Sequence, residues 1–208
     1  MDDAANGGNN YIEYSASGNA QLQVSAGTLT VGSQVRRSLA SVAGILKYTQ
    51  SGGTVTLARN AVPATTRGVF EVINNGSSFT HTGGNFTLTQ GINSTTVPSL
   101  LIDTPSSNVI GSTITIGDAN TPAGANSQNI GIKATVPLNN LTIAGANTPI
   151  AKIYITPLTV NGNLTINSST TFNAQGLDLS IGTNMVANGT FIPANNLTTF
   201  FNTGAASI

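Results

Sequence analysis

Apolar and polar positions alternate along this chain in short runs, and the same run keeps returning. "GTLTV" at 27–31, "GTVTL" at 53–57, "NFTLT" at 85–89, "STITI" at 112–116, "NLTIA" at 140–144 and "NLTIN" at 163–167 each set two apolar residues around one threonine. A period of two is that of a strand, whose successive side chains point to opposite faces. Leu29 and Val31, Val55 and Leu57, Phe86 and Leu88, Ile114 and Ile116, Leu141 and Ile143, and Leu164 and Ile166 therefore share one face. Thr30, Thr56, Thr87, Thr115, Thr142 and Thr165 share the other, spaced 26, 31, 28, 27 and 23 residues apart. A glycine or asparagine before most of these runs suits a corner of unusual backbone angle.

A second set of strand-like runs lies between the copies of the first: "YIEYS" at 11–15, "ILKYT" at 45–49, "VFEVI" at 69–73, "SLLID" at 99–103, "IGIKA" at 130–134 and "KIYIT" at 152–156. Each repeat thus holds at least two short strands, and no helical segment to serve as a crossover. One strand in constant phase over such a repeat predicts a stacked array. The economical form is a right-handed parallel β-helix of roughly seven to eight coils, each adding about 4.8 Å. It is expected over residues 11–190, after a flexible tail at 1–10 and before a last coil, or the start of a following repeat, at 191–208. Glu13, Lys47 and Glu71 hold matching positions in three successive second runs, which predicts an alternating charge stack outside, worth tenths of a kcal/mol. An antiparallel β-sandwich is the alternative fold, but the hairpin turns it needs are not consistently present.

Composition sharpens this picture. Charged residues are 7% of the chain and the net charge is zero, against about 25% charged in ordinary soluble domains. The exterior is therefore polar but uncharged, and the core is aliphatic. Neutrality gives no electrostatic case for nucleic acid. Arg36, Arg37, Lys47, Arg59 and Arg67 are spread without interleaved aromatics, as on a solvated strand-and-loop face. The absence of cysteine excludes disulfides, thiolate metal sites and a cysteine nucleophile. No apolar run approaches the roughly 18 residues needed to span a bilayer. The start, Met1-Asp2-Asp3-Ala4, has neither the basic nor the apolar region of a secretory signal.

Candidate chemistry is sparse. Hydrolases and lyases built on parallel β-helices need clustered carboxylates, yet no two of Glu13, Glu71, Asp103, Asp118 and Asp178 lie within ten residues. Asp103 and Asp118 alone are spaced to approach across a coil. His81, the one histidine, lacks partners for a metal site and is expected at the surface or a corner. Asp118 and Asn120 offer a few oxygens to Ca²⁺, but one carboxylate is thin for a hard cation, and a corner turn explains both residues. No catalytic, cofactor-binding or metal-binding residue is assigned, and no enzyme activity is expected. The threonines suggest one further class: paired at 28 and 30, 54 and 56, 87 and 89, and 113 and 115, they have the character of an ice-binding face, although strand propensity alone also supplies them.

The tail "LTVNGNLTINSSTTFNAQGLDLSIGTNMVANGTFIPANNLTTFFNTGAASI" resembles the repetitive β-rich regions of very large secreted surface proteins of Bacteroidetes, gliding adhesins among them, where runs like "NGNLTI" and "TFNAxGLDL" recur. The resemblance is strongest over residues 135–208. It implies an internal segment of an extracellular, cell-surface protein exported by the type nine pathway. Its expected role is structural or adhesive, as a stalk or display element. Expected partners are the rest of a longer chain or end-to-end copies, with carbohydrate or an abiotic surface as possible contacts, but not nucleic acid or a membrane interior. Phe200, Phe201 and Ile208, uncovered at the end of the chain, are expected to meet such a continuation.

Overall fold

In the computed structural model, residues 10–201 are described except for 16, 17, 42, 60–62, 64, 93, 95, 125–127, 194 and 196. The expected tail thus lies, Asn10 apart, outside the described residues, as does the stretch from 202 to 208. Every named element is a strand. The first coil comprises β1 (Ile12–Tyr14), β2 (Asn19–Val24) and β3 (Thr28–Val31), and the second β4 (Val35–Arg37), β5 (Ile45–Gln50) and β6 (Thr54–Leu57). The third holds β7 (Phe70–Ile73), β8 (Ser78–His81) and β9 (Asn85–Leu88), and the fourth β10 (Leu100–Asp103), β11 (Ser106–Val109) and β12 (Thr113–Ile116). Among the described residues the fifth holds β13 (Asn129–Ala134) and β14 (Asn140–Ile143). β15 (Ile150–Ile153), β16 (Leu158–Val160) and β17 (Leu164–Ile166) make the sixth, and β18 (Thr171–Asn173), β19 (Leu179–Ile181) and β20 (Met185–Ala187) the seventh. β21 (Thr190–Ile192) and β22 (Thr198–Phe200) belong to an eighth.

Each strand pairs with its counterpart one coil away, and every ladder is parallel. The first face runs β1-β4-β7-β10-β13-β15-β18-β21 and the third runs β3-β6-β9-β12-β14-β17-β20. The second face is divided into β2-β5-β8-β11 and β16-β19-β22. The molecule is a parallel β-helix, and the β-sandwich alternative falls with the absence of antiparallel ladders among the described strands.

Stacking of like residues explains why these sequences take this form. On the third face Leu29, Val55, Phe86, Ile114, Leu141, Leu164 and Met185 succeed one another in register, beside Val31, Leu57, Leu88, Ile116, Ile143 and Ile166. Nearly all of these are fully buried, and each such side chain contributes roughly 1.5–3 kcal/mol. The threonines at 30, 56, 87, 115, 142 and 165 form the expected outer ladder. Its companion column reads Thr28, Thr54, Asn85, Thr113, Asn140. Thr87 is thus paired along its strand with Asn85 and not with Thr89, which lies past the end of β9 and is buried.

The corner between the second and third faces is turned by Gly27, Gly53, Gly84 and Gly111, all with positive φ between 66° and 82°. In the later coils asparagine serves there in another way: Asn140 Oδ1 accepts the Asn163 N–H at 2.9 Å. The third coil fills its cross-section with one phenylalanine from each face, Phe70, Phe79 and Phe86, joined by Tyr48 from the coil before.

One expected stack is corrected. Lys47 does not lie between Glu13 and Glu71: β5 belongs to the second face, where Lys47 stands beside Gln21 and Ser78. The place is taken by β4, whose Val35 enters the core column between Ile12 and Phe70. Arg36 then sits beside Glu13, with an ion pair of 3.0 Å. With one apolar residue among "QVRRS", β4 carries no alternation to mark it as a strand; its neighbours above and below define it.

Candidate functional site

Three places on the molecule concentrate polar chemistry, and each is built by a corner or an outer face of the coils. The first is an ion network on the first face. Glu71 points outward from β7, yet the segment Arg67–Gly68 folds over it and leaves the residue 1% exposed. Its carboxylate accepts from Arg67 Nη2 at 2.9 Å, the Gly68 amide at 2.9 Å, and Arg37 Nε and N at 3.1 and 3.2 Å. Burial alone raises its pKa, but the Arg67 and Gly68 bonds and the charges of both arginines outweigh it and hold the group below the usual carboxylate range. Tyr14, buried beside it, donates its hydroxyl to the Glu71 carbonyl at 2.9 Å. Every oxygen of this carboxylate is occupied by the protein's own donors, which suits a brace between coils.

The remaining acids are placed far apart in role. Asp103 closes β10 at the corner between the first and second faces, and meets Lys133 Nζ at 2.5 Å and Thr135 Oγ1 at 3.2 Å. Asp118 follows β12 at the corner between the third and first faces. One of its oxygens accepts Thr89 Oγ1 at 2.9 Å and Arg59 at 3.3 Å, and the other accepts the Asn120 N–H at 2.7 Å. Asp103 and Asp118 therefore stand at different corners with different partners and do not form a carboxylate pair. The Asp118–Asn120 segment is a corner turn in which both carboxylate oxygens already have donors. Among the described residues no group of three or more His, Asp or Glu gathers to hold a metal.

His81 is the largest surprise. It is not at the surface but 0% exposed, inside the second face among Phe79 and Phe86. Neither ring nitrogen has a well-formed hydrogen bond, and burial, opposed only by the nearby Gly84 backbone, pushes its pKa down to about 4. Neighbouring Gln50, in the same column, is by contrast satisfied by Tyr48 and by the Asn85 carbonyl. The strand phase gives the inward direction of His81 once Phe79 is recognised as a core residue two positions earlier.

The second place is the outer array of threonine and asparagine on the third face, uncharged from β3 to β17. The third place is a groove of about 870 Å³ at the division of the second face, lined by Asn74, Asn75, Asp103, Pro105, Ser107 and Pro137 among others. It arises because the fifth coil passes this face by a shorter path than the fourth. Thr135 N–H bonds the Ile102 carbonyl and Asn140 N–H bonds the Ser112 carbonyl, so the coils meet at both corners. Between those points the fourth coil carries β11, while the fifth forms no strand and touches the sixth by a single bridge from Leu138 to Val160. The sequence hides this step, because it depends on a difference in length between coils and not on any motif.

Fold and surface together define an all-β parallel solenoid, a repeat protein whose conspicuous features are an uncharged array and a stepped face. The chain matched no protein-family model, no curated protein and no solved structure.

Proposed function

We propose that this chain is a structural segment, a stalk or display element, of a large secreted protein on a bacterial surface. The observation that carries the reading is the continuity of two parallel faces from the first coil to the seventh or eighth, with like residues in register, beneath an exterior that is almost free of charge. Stacked coils make a stiff spacer because each contacts only its neighbours, and a neutral surface makes that stiffness indifferent to salt. The sequence resemblance to adhesin repeats supports the surface location. Mass spectrometry of material sheared from cells that make this chain tests the proposal: its peptides are expected within a far larger polypeptide, and a mature product of about this size overturns it.

A second reading is favoured by one observation, the six threonines in register on the third face. If that array binds ice, the protein shows thermal hysteresis that Thr56→Tyr and Thr115→Tyr abolish. If it is a strand-forming exterior only, none is measured.

A further inference from the structure

We propose that the exposed edge of β11 is a docking site for an extended, uncharged polypeptide segment, which adds to the second face as a parallel strand. The inference concerns the groove alone and stands whether or not the chain is a stalk. In the ladder between β8 and β11 the Ile110 N–H donates to the His81 carbonyl. Backbone direction alternates along a strand, so Asn108 and Ser106 also face β8, while Ser107 and Val109 turn their N–H and C=O groups the other way. On that side the sheet has no further strand, and Ser107 lines the groove.

The side chains agree with an open edge. Ser106, Ser107 and Asn108 are all exposed and Val109 alone is buried, so β11 has lost the in-and-out alternation of the strands beside it, and Ser107 is the edge residue that opens on the groove. The inward column Leu22, Tyr48, Phe79 ends in Ser107, a polar residue in contact with solvent where the next coil would have covered an apolar one.

Three features select the occupant. An unpaired strand edge presents donors and acceptors at the spacing of another polypeptide backbone, which is the basis of recognition by strand addition. The charged groups that border the groove, Asp103 and Lys133, neutralise each other at 2.5 Å, so a neutral segment fits where a charged one leaves its charge unpaired. Apolar side chains are available to seat alternate residues. Ile73, Pro105, Val136 and Pro137 line the groove itself, and Pro157 lines the pocket that adjoins it past Val136 and Pro137. β11 itself carries neither charge nor proline, the devices that usually protect an edge.

The test uses the whole chain and two capped pentapeptides, Ser-Phe-Thr-His-Thr and Ser-Thr-Ile-Thr-Ile, the sequences of residues 78–82 and 112–116. Amide exchange is followed by NMR at probe concentrations up to about 5 mM, the regime of weak strand addition. Exchange at Ser107 and Val109 is expected to slow at least about tenfold, while Asn108, already bonded to β8, changes little. Probes N-methylated at alternate residues are expected to lose the effect, as is Ser107→Pro; the N-methylated arm keeps the test decisive should that variant not fold. The proposal is overturned if neither peptide protects these amides, if N-methylation makes no difference, if a neutral oligosaccharide protects them instead, or if they are already protected in a dimer formed through this edge.

Discussion

A single buried imidazole sets much of the acid response of this protein. His81 sits in an aromatic interior with no well-formed hydrogen bond to either nitrogen, and burial lowers its pKa from 6.5 to about 4 against the opposing Gly84 backbone. The folded protein therefore binds fewer protons than the unfolded chain between those values, so the contribution is fully present above pH 6.5 and is lost as pH falls toward 4. The shift corresponds to about 3 kcal/mol. Glu71, whose pKa is lowered, acts in the same direction at still lower pH. His81→Phe is expected to raise stability at neutral pH by up to about 1 kcal/mol, because it removes a buried polar ring held only by a weak contact to the Gly84 backbone. It is also expected to flatten the dependence between pH 6.5 and 4, which denaturant titrations at several pH values check. The alternation of apolar and polar residues made the core direction of Phe79 and Phe86 legible in the sequence, but a lone histidine between threonines reads as polar. Its burial follows from the coil and not from its own neighbours.

Elements here are defined by the coil above and the coil below. The threonine strands were legible because each carries its own pattern, and four of the six second runs form first-face strands; the run at 152–156 does so only through Lys152 and Ile153, since β15 ends there and Ile155 is exposed, and the run at 45–49 lies on the second face. β4 and β11 were not: "VRR" has a single apolar residue and "SSNV" has no alternation, so only their partners make them strands. The same dependence makes the corners sensitive. At Gly53 φ is 69°, and an added Cβ would stand 2.6 Å from the Gly27 carbonyl oxygen of the previous coil. Gly53→Ala therefore strains its own turn and pushes the coils apart at once. A loss of about 3 kcal/mol is expected in the denaturation midpoint, whereas Gly27→Ala, with nothing within 4 Å of the added atom, is expected to cost less.

Across the whole molecule, stability rests on stacked apolar columns and parallel ladders rather than on charge. Seven basic and seven acidic residues serve 208 positions, and the one deeply buried carboxylate among the described residues is sealed by its own arginines. Raising NaCl from about 0.1 to 1 M is accordingly expected to move Tm by no more than about 2 °C, since exposed pairs contribute little to begin with. A larger fall on calorimetry would show that the surface pairs matter more than their exposure suggests. The division of the second face has a mechanical consequence. Between the fourth and fifth coils only two faces are joined by strand ladders, and between the fifth and sixth the second face adds no more than the bridge from Leu138 to Val160, whereas the first four coils, and the sixth and seventh, are joined by three. A rod with one wall interrupted around a single coil is most compliant there, so bending concentrates at the fifth coil and in the direction that opens or shuts the step. Anything lodged against β11 would splint the rod, and occupancy of the groove would then be felt at both ends as a change in how freely they swing.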